Sequence, residues 1–193
     1  MANSRSWIHP LRPRHGTTLA LDISGYSGRD EAAQTHTRSA MFSMFEQIAA
    51  DLEIRWRSGT HCDRGDGLMI VVKRPRIEVL VTDLPRQLGD AVRRHNLAAA
   101  PDMRMRLRMA LDAGFVHKEG KSYTGDVLNR TARLLDAPEF KTKMRDQGAE
   151  FAVIASAELC EAIQGFHLLD DRRIEKVQVD VKETHTTAWM WTP

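Results

Sequence analysis

Only two cysteines, Cys62 and Cys160, occur in the 193-residue sequence. They are too few for a disulfide framework or a cysteine-based zinc spacing, and they suit a reducing compartment. The eight histidines are scattered, with no His-x-x-x-His pair to grip a metal. No apolar run approaches the roughly 20 residues that a bilayer-spanning helix needs. Residues 1–16 (MANSRSWIHPLRPRHG) are basic, are broken by Pro10 and Pro13, and lack the apolar stretch of a secretory signal. They read as a basic N-terminal arm, and the chain is expected to remain in the cytoplasm. Charge of one sign is also lacking: 28 basic side chains meet 26 acidic ones for a net +2. That balance makes no case for nucleic acid, and neither nucleic acid nor membrane is expected as a partner. Internal repeats and low-complexity tracts are absent.

What is present suits one globular domain, residues 17–193, with 42% apolar and 28% charged residues. Thr17 to Ile23 reads as a short strand buried on both faces. A long helix follows from about Asp30, with Met41, Met44, Phe45, Ile48 and Leu52 on its inner stripe. Glu53 to Val72 reads as a hairpin turning at Gly65-Asp66-Gly67. A second helix is expected from Arg76 to His95. Then Met103, Met105, Leu107, Met109 and Leu111 alternate with Arg104, Arg106, Arg108, Ala110 and Asp112. Gly114 is expected to end that strict alternation. The arginine row reads as the solvated face of a half-buried strand, with a substrate-binding row as the alternative. A helix from Asp126 to Leu135, another short helix, a strand at Phe151–Ala155, a helix from Ala157 and a closing strand pair complete the chain. The fold class expected is α+β, an α/β sandwich around one sheet.

Three segments carry candidate chemistry. In ALDISGYS, Asp22 ends a buried strand and Ser24-Gly25 turns towards a helix. Such a loop offers backbone N–H groups to phosphates while a carboxylate faces a cation. In DRGDG, the glycines flanking Asp66 let a hairpin tip bend towards Asp22, and two hard carboxylates suit Mg²⁺ or Mn²⁺. In YTGDVLNRTARLLDA, Asn129 and Arg133 stand four apart on one helix face. An amide and a guanidinium there can hold a ribose and a phosphoryl group. Each segment also has a plain reading, as a capping aspartate, a tight turn or a wet helix face.

Taken in order, these segments resemble the class III adenylate and guanylate cyclases from about Thr17 to Trp191. The matching pieces are LALDISGYS, the hairpin GDG, the strand RLRMALDAG and the Gly-x-x-x-Asn-x-x-x-Arg helix. The resemblance implies a ferredoxin-like central sheet flanked by helices. It also implies two divalent cations (Mn²⁺ or Mg²⁺) held by Asp22 and Asp66 with help from the Ile23 carbonyl. Ser24, Gly25, Tyr26 and Ser27 would cradle phosphates, Asn129 would orient the ribose, and Arg133 would stabilise charge on the transferring phosphate. Lys182 stands where the family places a triphosphate-binding lysine, although VKET replaces the usual lysine-glycine pair. The metal aspartates and the Asn/Arg helix would come from different subunits of a head-to-tail homodimer with shared sites.

The base-reading positions depart from that family. Adenylate cyclases carry lysine and aspartate where this chain has Cys62 and Ser122, and guanylate cyclases carry glutamate and cysteine. The combination resembles the stand-alone pyrimidine cyclases of bacterial Pycsar antiphage systems. It implies UTP as substrate and cyclic UMP as the messenger to a downstream cyclic-nucleotide effector. A purine cyclase with unusual base contacts, and a catalytically silent module that binds a nucleotide or a partner, are the alternatives.

Overall fold

A computed structural model describes residues 12–55, 61–63, 65–72, 74–120, 122–170 and 174–193, with backbone alone for His61, Cys62 and Asp63. Most of the N-terminal arm, residues 1–11, lies outside that set. The elements run β1 (Arg14–Ile23), α1 (Glu31–Asp51), β2 (His61–Asp63), β3 (Gly67–Val72), α2 (Leu84–Ala98), β4 (Leu107–Glu119), β5 (Ser122–Thr124), α3 (Asp126–Asp136), α4 (Pro138–Asp146), β6 (Phe151–Ser156), α5 (Ala157–Gln164), β7 (Glu175–Val181) and β8 (Thr184–Trp191). The strands form one sheet in the order β2-β3-β1-β4-β6-β8-β7, with β5 paired to β4. This is the mixed sheet flanked by helices that the sequence predicts.

The two sheet faces bury different residues because strand side chains alternate. Leu19, Leu21 and Ile23 of β1, with Leu107, Met109 and Leu111 of β4, pack with Met41 and Phe45 of α1, Leu88 and Val92 of α2 and Leu159 of α5. Ala20 and Ala110 face the other way, in a cluster with Leu134 and Leu135 of α3 and Phe140 of α4. Helix starts follow local chemistry. Asp30 caps α1 by accepting from the Ala33 N–H at 2.7 Å, and Ser156 caps α5 by accepting from Leu159.

Two local differences from the sequence reading have physical causes. The second helix is not regular, because Val79–Asp83 widens into a π-helical stretch before α2. Pro85, in the first turn of α2, has no N–H, and its ring would crowd the carbonyl four residues back, so the wider turn relieves it. The arginine-rich strand starts at Leu107 and not at Met103, because the Asn96 side chain takes both Met105 backbone groups, donating to its oxygen and accepting from its nitrogen at 2.8 Å each. Beyond the alternation that Gly114 closes, the strand runs on: Gly114 lies opposite Gly16 in an unbroken β1–β4 register, and an added Cβ there would stand 3.2 Å from Val127 of α3. Glycine at 114 serves close packing of a helix.

Candidate functional site

The ends of β1 and β3 bring Asp22 and Asp66 together. Asp22 pairs with Gly67, one residue beyond Asp66, and the Ile23 N–H donates to the Asp66 carbonyl at 3.1 Å. Position 67 requires glycine, since a Cβ would fall 2.0 Å from the Leu21 carbonyl oxygen. From α1, Arg38 donates to the Gly65 carbonyl at 2.8 Å and ties down the turn. Asp66 is close enough for its charge to help push the Asp22 carboxyl up.

Arg108 also belongs to this site, which overturns its reading as part of a solvated face. Arg104 and Arg106 are exposed, but Arg108 is 7% exposed. Its Nε and a terminal nitrogen donate to the two Asp22 carboxylate oxygens at 2.8 Å each. Its other terminal nitrogen reaches the Leu135 carbonyl at 3.4 Å. Strand pairing sets Asp22 directly opposite Arg108 on the face covered by α3 and α4. The signal in the sequence was positional: an arginine on the β4 face that also carries Ala110, opposite a strand buried on both sides. Burial pushes the Asp22 carboxyl up to about 6, against the partial pull of Arg108 in the other direction.

The loop after β1 begins with Gly25 in a left-handed conformation (φ 70°) and continues as a 3-10 turn, Tyr26–Gly28. Ser24 departs from its expected role: its N–H already donates to the Arg106 carbonyl at 2.8 Å. Gly25 and Ser27 are exposed and Tyr26 is half-buried. Sequence reasoning missed Arg29, which donates to the carbonyls of Asp102 and Arg104 at 2.9 and 2.8 Å and pins this loop to the segment ahead of β4.

A second group gathers on α3. The helix opens at Gly125 (φ 147°), where a Cβ would lie 2.6 Å from the Phe115 carbonyl oxygen. Thr131 and Leu135 face the sheet, while Asn129 is exposed and Arg133 half-buried. One terminal nitrogen of Arg133 donates to Glu183 at 3.3 Å, and its Nε is buried with no partner among the described residues. Glu183 follows Lys182 in the turn between β7 and β8, so the turn bearing Lys182 does reach α3. Lys182 is exposed and takes a left-handed φ of 52°.

The two base-reading positions are placed differently. Cys62 pairs with Met69 on the outermost strand, two residues along β3 from the Gly67 that faces Asp22; its side chain is outside the described residues. Ser122 is exposed and sits opposite Glu119, eleven residues along β4 from Arg108. At about 3.3 Å per residue the path along the strand between them is roughly 35 Å.

Among the described residues no three His, Cys, Asp or Glu side chains converge on one point. The donors that the sequence reading assigns to the β1 end, Asp22, Asp66 and the Ile23 carbonyl, are all hard oxygens. Such a set would suit Mg²⁺ or Mn²⁺ if triphosphate oxygens and water completed the coordination.

No family description and no curated protein sequence matches this chain. Solved structures do. An adenylate/guanylate cyclase/hydrolase from Silicibacter pomeroyi aligns with a TM-score of 0.68 at 16% identity, covering 95% of this chain and 99% of that one. The guanylyl cyclase Cya2 aligns at 0.63 and 15% identity, covering 94% and 92%. The guanylate cyclase domain of RhGC from Catenaria anguillulae, solved with GTP, aligns at 0.56 and 14% identity, covering 92% and 96%. At these identities the likeness is one of fold, and over nearly its whole length the chain has the fold of adenylate and guanylate cyclase catalytic domains.

Proposed function

We propose that this chain is a class III nucleotidyl cyclase, active as a head-to-tail homodimer, that closes UTP to cyclic UMP and pyrophosphate. The observation that carries the cyclase reading is the juxtaposition of Asp22 and Asp66, fixed by strand register and by a glycine that nothing can replace. The shared-site reading is supported by the separation within one chain: Ser122 stands roughly 35 Å along β4 from Asp22, and Asn129 faces outward from α3. A second copy supplies what one copy holds too far away. Phe115, 66% exposed near the same end of β4, gives such a partner apolar surface to cover.

Each side chain then has a task. Asp22, Asp66 and the Ile23 carbonyl hold the two cations. When bound, these lower the pKa of the ribose 3′-hydroxyl and neutralise the triphosphate and its leaving group. The Gly25–Ser27 loop receives β- and γ-phosphates, and Lys182 adds charge beside them. Asn129 of the partner copy orients the ribose for in-line attack of its 3′-oxygen on the α-phosphorus. Arg133 stabilises the charge that builds on that phosphate, and its Nε, without a partner among the described residues, leaves a donor in reserve. No protein nucleophile is required.

The pyrimidine preference rests on chemistry at the base-reading positions. A purine site must satisfy the polar edge of a large base, and a thiol at 62 and a short hydroxyl at 122 are poorly suited to that. The product would pass to a cyclic-nucleotide effector in the cytoplasm, as in Pycsar defence. No helix among the described residues is long and apolar enough to cross a membrane. A purine cyclase is the second reading, favoured by the adenylyl and guanylyl cyclases among the structural relatives. Incubation with ATP, GTP, CTP and UTP at equal concentration plus Mn²⁺, with products identified by mass, separates them. Dominant cyclic UMP supports the proposal, and dominant cyclic AMP or cyclic GMP leaves a purine cyclase. Absence of any cyclic product refutes both.

A further inference from the structure

Of the two carboxylates proposed to hold metal, Asp22 already holds a cation. Both of its oxygens are taken by Arg108 at 2.8 Å, in a pair whose side chains are 9% and 14% exposed. A divalent ion needs at least one of those oxygens at about 2.0–2.2 Å. Each oxygen keeps a second lone pair, so the obstacle is one of charge and crowding: the guanidinium fills the side that both oxygens share, and its fixed positive charge repels a second cation there. Moving it aside relieves both. We infer that Arg108 is a resident counter-cation, seated on Asp22 in the metal-free protein and displaced when a divalent cation binds, so that it sets how tightly the free protein takes metal.

This rests on the metal half of the proposed function and adds a competition that the cyclase reading does not require. A site that is open only part of the time binds with an affinity reduced by that fraction. Removing the occupant should recover it.

The test is Mn²⁺ binding to the full chain without nucleotide, read from loss of the free-Mn²⁺ EPR signal. Arg108→Gln is expected to tighten binding at least about tenfold, and Arg108→Lys, with one point charge and no fork, to fall between that variant and wild type. Asp22→Asn added to Arg108→Gln should abolish the gain. Tightening of less than about threefold in Arg108→Gln overturns the inference, as does a gain that survives Asp22→Asn. If Arg108→Gln does not fold, Arg108→Lys decides, and wild-type affinity in it overturns the inference. The two readings fail separately. Cyclic product from wild type with unchanged Mn²⁺ affinity in Arg108→Gln sinks the counter-cation alone. Tightened Mn²⁺ binding in a protein that makes no cyclic product sinks the cyclase alone.

Discussion

Two arginine–carboxylate pairs lie on the same face of the sheet, four residues apart along β4, and they are built to different ends. Asp112 is fully buried and accepts from four donors: Nε and a terminal nitrogen of Arg130 at 2.9 and 3.2 Å, the Ala113 N–H at 2.7 Å and the Ser156 hydroxyl at 2.7 Å. Ser156 in turn caps α5, and Thr18, cross-strand from Asp112, hydrogen-bonds Thr131 of α3. This pair bolts α3 and α5 to the sheet. Asp22 accepts from Arg108 alone among the described residues, at the strand end beside Asp66. The first carboxylate has spent its acceptor capacity on structure. The second has capacity left and a neighbour of like charge, an arrangement that suits a cation better than it suits stability.

The comparison breaks most directly on activity. Asp66→Ala should lower cyclase turnover by about 10³-fold or more, because metal-type stabilisation of the transition state is lost, with little change in melting temperature. Asp22→Ala is a less clean test than its position at a strand end suggests, because it leaves the buried Arg108 without a counter-charge, on the Leu135 carbonyl alone. Asp22→Asn keeps an acceptor there. Near-normal turnover in folded Asp66→Ala would remove the site from the β1 end altogether.

Asp112→Ala should do the reverse. Its loss strands the Ser156 hydroxyl and the Ala113 N–H, leaves Arg130, 35% exposed, to solvent, and costs about 2–4 kcal/mol by urea denaturation. Turnover per folded molecule should fall far less than in Asp66→Ala. A stable but inactive Asp112→Ala protein would show that the two pairs share one role.

A smaller effect tests where the two halves of the site meet. Asp66→Ala and Arg133→Ala should each be inactive alone. Mixed in equal amounts, half of the dimers are hybrids and one of their two sites is intact, so about a quarter of wild-type turnover should return. No recovery, when hybrid dimers are shown to form, would place the whole site within one chain.

Most of the fold was legible because it rests on short-range signals. The short apolar run TTLALDI, the glycines of GDG and the stripe on α1 each correspond to an element now seen. What sequence reading missed depends on partners distant in the chain. Arg108 looked like Arg104 and Arg106 because all three alternate with methionine and leucine. Only the β1–β4 register, which sets it opposite Asp22, tells it apart. Arg29 was missed for the same reason, since its partners are 73 and 75 residues away. The start of β4 was misplaced because Asn96, a helix residue, imitates a strand neighbour. The short strand β5, which places Ser122 far from the aspartates, has no periodic signal of its own over three residues.

The smallest effect concerns which force governs Asp22 in the metal-free protein. Burial raises its carboxyl to about 6 from the ordinary 3.8, and the Arg108 charge opposes that rise. A carboxyl raised on folding binds its proton more tightly in the folded chain than in the unfolded one. The resulting stability is present in full below about pH 4 and is lost as pH rises through about 6. Other carboxylates weaken the protein in acid, so the quantity to measure is the difference between wild type and Asp22→Asn, by urea denaturation without metal. From pH 7 down to pH 4.5, wild type should gain on the variant by on the order of 2 kcal/mol. If the difference instead runs the other way, with wild type losing ground as pH falls, attraction to Arg108 outweighs burial. Asp22 would then be a structural pair of the Asp112 kind, and the contrast between the two ends of the sheet would not hold.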